Sequence, residues 1–154
     1  MEDATRLKSI ALFSGLSDRG LEEIAGVIRR VSFESGDMIF AEGDAGDALY
    51  LVERGRVRIS KVLSGIGEEA LAILGPGSVF GEMAVLDGGK RSANATAQED
   101  VELLALDRDR FNALLLKDRD LAYQVLSVIV QTLAARLREM NDKVFAFYVL
   151  AAFT

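Results

Sequence analysis

The stretch FGEMAVLDGGKRSANATA, residues 80–97, holds the side chains best suited to chemistry. Gly81 permits close backbone approach. Glu82 to Leu86 is short and helix-compatible, and its first amides lack intrahelical acceptors, an arrangement that attracts anions. A turn over Asp87 to Gly89 sends the chain back and delivers Arg91, Ser92 and the small Ala93. Guanidinium, hydroxyl and backbone amides converging on one place would bind a phosphate. Glu82 beside such a site repels an anion unless it accepts a hydrogen bond from a hydroxyl on the same ligand. One arginine nearly neutralises a single phosphate charge. A polyphosphate would want a lysine, Mg²⁺ and a P-loop, and no GxxxxGK[ST] occurs. The same residue types also fit a structural reading. In it Arg91 pairs with Glu82 or Asp87, and Glu82 is a surface carboxylate near a turn.

Composition narrows the classes. The 154 residues suit one domain with an adequate core. There is no cysteine and no histidine. Disulfides, Cys/His zinc sites, His-ligated haem and Ser–His or Cys–His catalytic pairs are thereby excluded. No pair of carboxylates has a plausible acid/base spacing, so no enzyme activity is expected. The net charge of −6 repels nucleic-acid phosphates, so direct DNA binding by this chain is not expected. No signal peptide is visible, and the longest apolar stretch, Val144 to Phe153, is about half a membrane span. A cytoplasmic protein without membrane contact is expected.

The elements that must position the 80–97 stretch are mostly strands. Residues 17–29 read as a helix with Ser17 as N-cap and Leu21, Ile24, Ala25 and Ile28 at helical spacing, after a short apolar lead-in from Ile10 to Leu16. From about 31 to 106, short β-branched or aromatic runs alternate with glycine-bearing turns, which indicates an all-β sandwich, roll or barrel. RVRIS alternates, with Val57 and Ile59 on one face and Arg56, Arg58 and Ser60 on a wet one. VELLAL, at 101–106, reads as the last strand.

Helical periodicity then returns over about 107–150. Asp107 is a candidate cap for a helix carrying Phe111, Leu114 and Leu115. A longer helix of about 25 residues begins near Asp118 or Asp120. Its stripe is Leu126, Ile129, Leu133, Leu137, Met140 and Val144, flanked by Val125, Val128 and Thr132. That stripe approximates a heptad seam and suits a homodimer through the 120–145 helix; packing on its own roll is the other option. The apolar tail VFAFYVLAAF suits a partner or a fold back onto the roll.

Residues 80–97 closely resemble the phosphate-binding cassette of cyclic-nucleotide-binding domains, the family found in the bacterial catabolite activator protein, protein kinase A regulatory subunits and cyclic-nucleotide-gated channels. The family pattern F-G-E-[LM]-A-[LV], a short turn, then R-[STA]-A stands here in full. Gly36, Gly43 and Gly55 resemble turn positions of the family's roll, and the resemblance covers roughly residues 10–150.

The resemblance implies a mainly β fold with flanking helices. This is a double-stranded β-helix (a jelly-roll-like β-roll) with short N-terminal helices and a long C-terminal one. It implies a single domain over 1–154, with no helix-turn-helix DNA-binding domain present. The implied ligand is a 3′,5′-cyclic nucleotide, cAMP or cGMP, with cAMP favoured, and no cofactor or metal is implied. Glu82 would accept the ribose 2′-OH. The backbone of Gly81, Met83 and Ala84 would cradle sugar and phosphate. Arg91 would pair with the equatorial phosphate oxygen, and Ser92 and Ala93 would add a hydroxyl and an amide.

Ile59, Leu71 and Met83 would form an apolar wall for the base, or, for Ile59 and Leu71, ordinary core. The catabolite activator branch places two adjacent hydroxyl residues on its long helix to read adenine. Met140 and Asn141 stand there in this sequence. Asn141 can offer an amide to a purine edge, or serve only as a polar surface residue; Met140 can offer no hydrogen bond. The implied function is a regulatory sensor of the Crp/Fnr type that signals by moving its C-terminal helix. The alternative is a degenerate roll used as a dimerisation or docking scaffold.

Overall fold

The computed structural model describes residues 2–153; Met1 and Thr154, the two ends of the single-domain expectation, lie outside them. The chain opens with α1 (Glu2–Lys8), a 3₁₀ turn (Ala11–Phe13) and α2 (Asp18–Ala25). Five strands follow: β1 (Ile28–Phe33), β2 (Met38–Phe40), β3 (Ala48–Arg54), β4 (Val57–Leu63) and β5 (Gly67–Leu74). Next come β6 (Val79–Phe80), α3 (Glu82–Asp87), β7 (Asn94–Ala97) and β8 (Val101–Asp107). α4 (Arg108–Lys117) and α5 (Arg119–Ala152) close the chain.

The strands form two four-stranded sheets, ordered β1-β8-β3-β6 and β2-β7-β4-β5, with every pairing antiparallel. β3 shows why the layers stack as they do. Successive strand side chains point to opposite faces, and five consecutive β3 residues are buried. Ala48, Tyr50 and Val52 face the second sheet, in one cluster with Val57 and Ala95 of that sheet and Phe80 and Leu103 of their own. Leu49 and Leu51 face the helices, where they meet Phe13, Ile24, Phe111, Leu121 and Val125. A strand covered on both faces needs a continuous apolar run, and ALYLV supplies it.

The expected mainly β architecture with a long C-terminal helix is present, with several local differences. The helix expected over 17–29 is α2 and stops at Ala25, and Ile28 and Arg29 belong to β1. Ile28 continues the helical period, but pairing with Leu106 on β8 overrides that local preference. The roll therefore spans Ile28–Asp107. Ser17 does cap α2, accepting from the Gly20 amide at 3.1 Å. Asp107 makes no side-chain cap to α4; its carboxylate bonds Arg29 at 3.0 Å. Ser60, expected on a wet face, is buried next to a register shift between Ile59 and Ser60. α5 has 34 residues, longer than expected, because VFAFYVLAA carries no glycine or proline to end it. Its start is capped by Asp118, which accepts from the Leu121 amide at 3.0 Å.

Candidate functional site

The 80–97 stretch runs from the end of β6 in one sheet through α3 to β7 in the other. β6 ends at Phe80, packed at 5.3 Å between ring centroids against Tyr50. Gly81 then turns with φ of 78°, a left-handed conformation that favours glycine. A Cβ at Gly81 would come within 2.6 Å of the Arg91 guanidinium, so glycine is also required for space. α3 follows, with Glu82 and Ala84 buried and Met83 exposed. Gly88, at φ of 71°, ends it, and the Asp87 carboxylate accepts from the Gly89 amide at 2.7 Å.

The backbone of Arg91 is fixed from both sides: its amide donates to Asp44 O at 2.8 Å and its carbonyl accepts from the Gly43 amide at 2.9 Å. The residue is 3% exposed. Nη1 donates to Gly81 O at 2.8 Å, and Nη2 donates to Ala48 O at 2.5 Å and reaches Asp47 at 3.5 Å. The guanidinium carbon lies 4.1 Å from the centre of the Phe40 ring, a cation–π contact. Burial pushes the Arg91 pKa down from its ordinary value, while the Asp47 and Asp44 carboxylates act in the opposite sense. Nε of Arg91 is buried with no hydrogen-bond partner among the described residues. An unpaired buried donor on a charged group is costly, and it is explained if a ligand completes it.

Glu82 is buried and paired with Arg136 of α5, which also donates to Val79 O at 2.6 Å. Neither structural alternative raised by the sequence, Arg91 with Glu82 or Arg91 with Asp87, is the pairing found. Sequence reading missed Arg136, which lies 54 positions from Glu82. It continues the row Val125, Val128, Thr132 by one more turn, and a charge extending a half-buried row is the signal that could have shown it.

One cavity joins these groups. It is lined by Gly81, Glu82, Met83, Ala84, Arg91, Ser92 and Ala93, with Ile59, Arg136 and an apolar remainder of Phe40, Ala72, Leu74 and Phe80. Eight of the ten expected site residues meet there. Leu71 does not: Ile59 pairs with Ala72 and Ser60 with Ala70, so Leu71 is the extra residue of a bulge and sits half-exposed. Ala72 and Leu74 take its place on the wall. Asn141 is exposed on α5, away from the cavity. It lies five positions beyond Arg136, about 140° around the helix from it at 3.6 residues per turn. Among the described residues no group of three or more Asp, Glu, His or Cys could hold a metal ion.

A charge-neutralising arginine, a buried carboxylate and an apolar wall on a β-roll define a binding module. The family model for the cyclic nucleotide-binding domain matches residues 30–118, and the chain belongs to that family. It is 43% identical over 88% of its length to the cyclic AMP receptor protein of Thermus thermophilus, of which it spans 61%. It is 32% identical, over 88% of its length, to a CRP-like cAMP-activated global transcriptional regulator of Mycobacterium tuberculosis, of which it spans 59%. Its fold matches the crystal structure of a cyclic nucleotide-binding domain from Methylobacillus flagellatus. That match has a TM-score of 0.80 and 30% identity, and covers 92% of this chain and 80% of that one.

Proposed function

We propose that this domain senses a 3′,5′-cyclic nucleotide, cAMP or cGMP, and reports it through α5 as part of a cytoplasmic transcription regulator, without catalysing a reaction. The observation that carries the reading is that Arg91, almost wholly buried and with an unpartnered Nε, lines a cavity that also holds Glu82. Two arginines on the lining, Arg91 and Arg136, supply positive charge for a phosphate, offset by Glu82 and by Asp47 at 3.5 Å from Arg91.

In this reading Arg91 binds the phosphate, and the Ser92 hydroxyl and Ala93 amide add to it. Glu82 accepts the ribose 2′-OH, and the backbone at Gly81, Met83 and Ala84 closes on the sugar. The similarity to the cyclic AMP receptor protein of Thermus thermophilus and the cAMP-activated regulator of Mycobacterium tuberculosis favours cAMP. Arg136 links the site to α5, because it touches Glu82 and Val79 together. A ligand hydroxyl at Glu82 competes for the same carboxylate, so it shifts the population of α5 positions. The exposed Leu137, Met140 and Val144 continue the seam on which a second copy would dock. At −6 net charge, the domain itself makes no direct contact with nucleic acid in this reading.

Calorimetric titration with cAMP, cGMP and 5′-AMP tests the proposal. Micromolar or tighter binding of a cyclic nucleotide, with no heat from 5′-AMP, is the expected result. No heat and no thermal shift with either cyclic nucleotide, on folded ligand-free protein, would overturn it.

A further inference from the structure

Ala84, on α3, packs against backbone from outside the 80–97 stretch. Its partner is Gly46, in the loop between β2 and β3. A Cβ built at Gly46 would overlap Ala84 Cβ and come within 3.1 Å of Ala84 Cα. Gly46 is buried, and its φ lies outside the left-handed region that favours glycine. Glycine is therefore needed at 46 for space and not for backbone conformation.

The two sides of this contact differ in their freedom to move. The loop is pinned on either side of Gly46: Asp44 O accepts from the Arg91 amide at 2.8 Å, and Asp47 O accepts from the Arg108 amide at 2.8 Å. α3 has six residues, with a left-handed glycine at each end, Gly81 and Gly88, and no side-chain cap at its start. Neither alanine nor glycine has a rotamer to turn, so a methyl group at 46 is relieved only by moving backbone. α3 is the side that gives. Glu82 stands on α3 two positions before Ala84, whereas the Arg91 backbone is held by the loop itself, through Asp44 O and the Gly43 amide.

We infer that Gly46 is a positioning residue: by letting Ala84 seat directly on the loop, it sets the depth of α3 and hence the place of the Glu82 carboxylate relative to Arg91. The inference rests on the proposed function, in which that spacing matches a ribose hydroxyl and a phosphate on one ligand. Gly→Ala at a φ that alanine tolerates ordinarily stabilises a protein by restricting the unfolded chain, so a loss of binding there has a steric cause.

The test is calorimetry on the full chain with cAMP and 2′-deoxy-cAMP, which lacks the hydroxyl that Glu82 would accept. The parent chain should prefer cAMP by about tenfold to a hundredfold, the range for one hydrogen bond to a charged group. Gly46→Ala should remove most of that preference while still binding 2′-deoxy-cAMP. The double variant Gly46→Ala with Ala84→Gly moves the methyl group to the other side of the contact and should recover the preference. If Gly46→Ala does not fold, recovery of both folding and preference in the double variant is the supporting result. No preference in the parent chain, an unchanged preference in Gly46→Ala, an equal loss for both compounds, or a double variant no better than the single one would overturn the inference and leave the sensor reading intact. Failure of the parent chain to bind cAMP or cGMP would overturn both.

Discussion

Two regions of this molecule break the usual sorting of side chains, in opposite directions. At Arg91 a charge is almost wholly buried. Along the C-terminal half of α5 and its C-cap Phe153, the apolar groups Leu137, Met140, Val144, Phe145, Phe147, Tyr148, Leu150 and Phe153 are exposed. Lone exposed apolar residues are ordinary, but a buried charge and a long apolar patch are both informative. The first half of α5 sets the scale. Leu121, Val125 and Ile129 on the same helix are buried against the β1-β8-β3-β6 side of the roll. The helix is therefore half core element and half surface, and the turn carrying Arg136 lies between the two. A buried charge with an unmatched donor asks for a polar small molecule; an apolar helix face asks for another apolar surface.

The largest expected effect is at the buried charge. Arg91→Ala should cost about 2–5 kcal/mol of cAMP binding by calorimetry, because a phosphate would lose its partner in a desolvated site. It should also lower the thermal midpoint, since Gly81 O and Ala48 O lose their donor. Unchanged affinity would break the comparison at its first term.

The two halves of α5 can be set against each other directly. Ile129→Ala should destabilise the fold by about 2–5 kcal/mol in denaturant titration, the usual cost of truncating a buried isoleucine. Val144→Ala, in dilute protein, should change stability by no more than about 0.5 kcal/mol. A comparable loss at both positions would mean that the distal half packs on its own roll.

At Glu82 the contrast is with its own partner. Glu82→Gln should weaken cyclic nucleotide binding by about 1.5–3 kcal/mol, the range for a hydrogen bond to a charged group, and leave 2′-deoxy-cAMP almost unaffected. Ser17→Ala, which removes the α2 cap, should cost about 1 kcal/mol of stability with no change in ligand affinity.

The cassette was legible in the sequence because its chemistry is local. Gly81, Glu82, Arg91, Ser92 and Ala93 lie within one short turn-bearing stretch, so spacing alone brings them to one cavity. What failed to show depends on partners far along the chain. Leu71 and Ala72 are neighbours, and only the bulge opposite Ile59 and Ser60 decides which faces the site. Ile28 suits a helix or a strand equally by pattern, and β8 decides it. Arg136 joins Glu82 from 54 positions along the chain; the helical row turns it toward the roll, but nothing local names its partner.

The most direct test of the account is amide hydrogen exchange across the chain with and without saturating cAMP. The account predicts slowed exchange at Gly81–Ala84 and Arg91–Ala93, with a change on α5 centred near Arg136. Exchange unchanged at those amides, while cAMP is shown to be bound, would contradict the placement of the ligand.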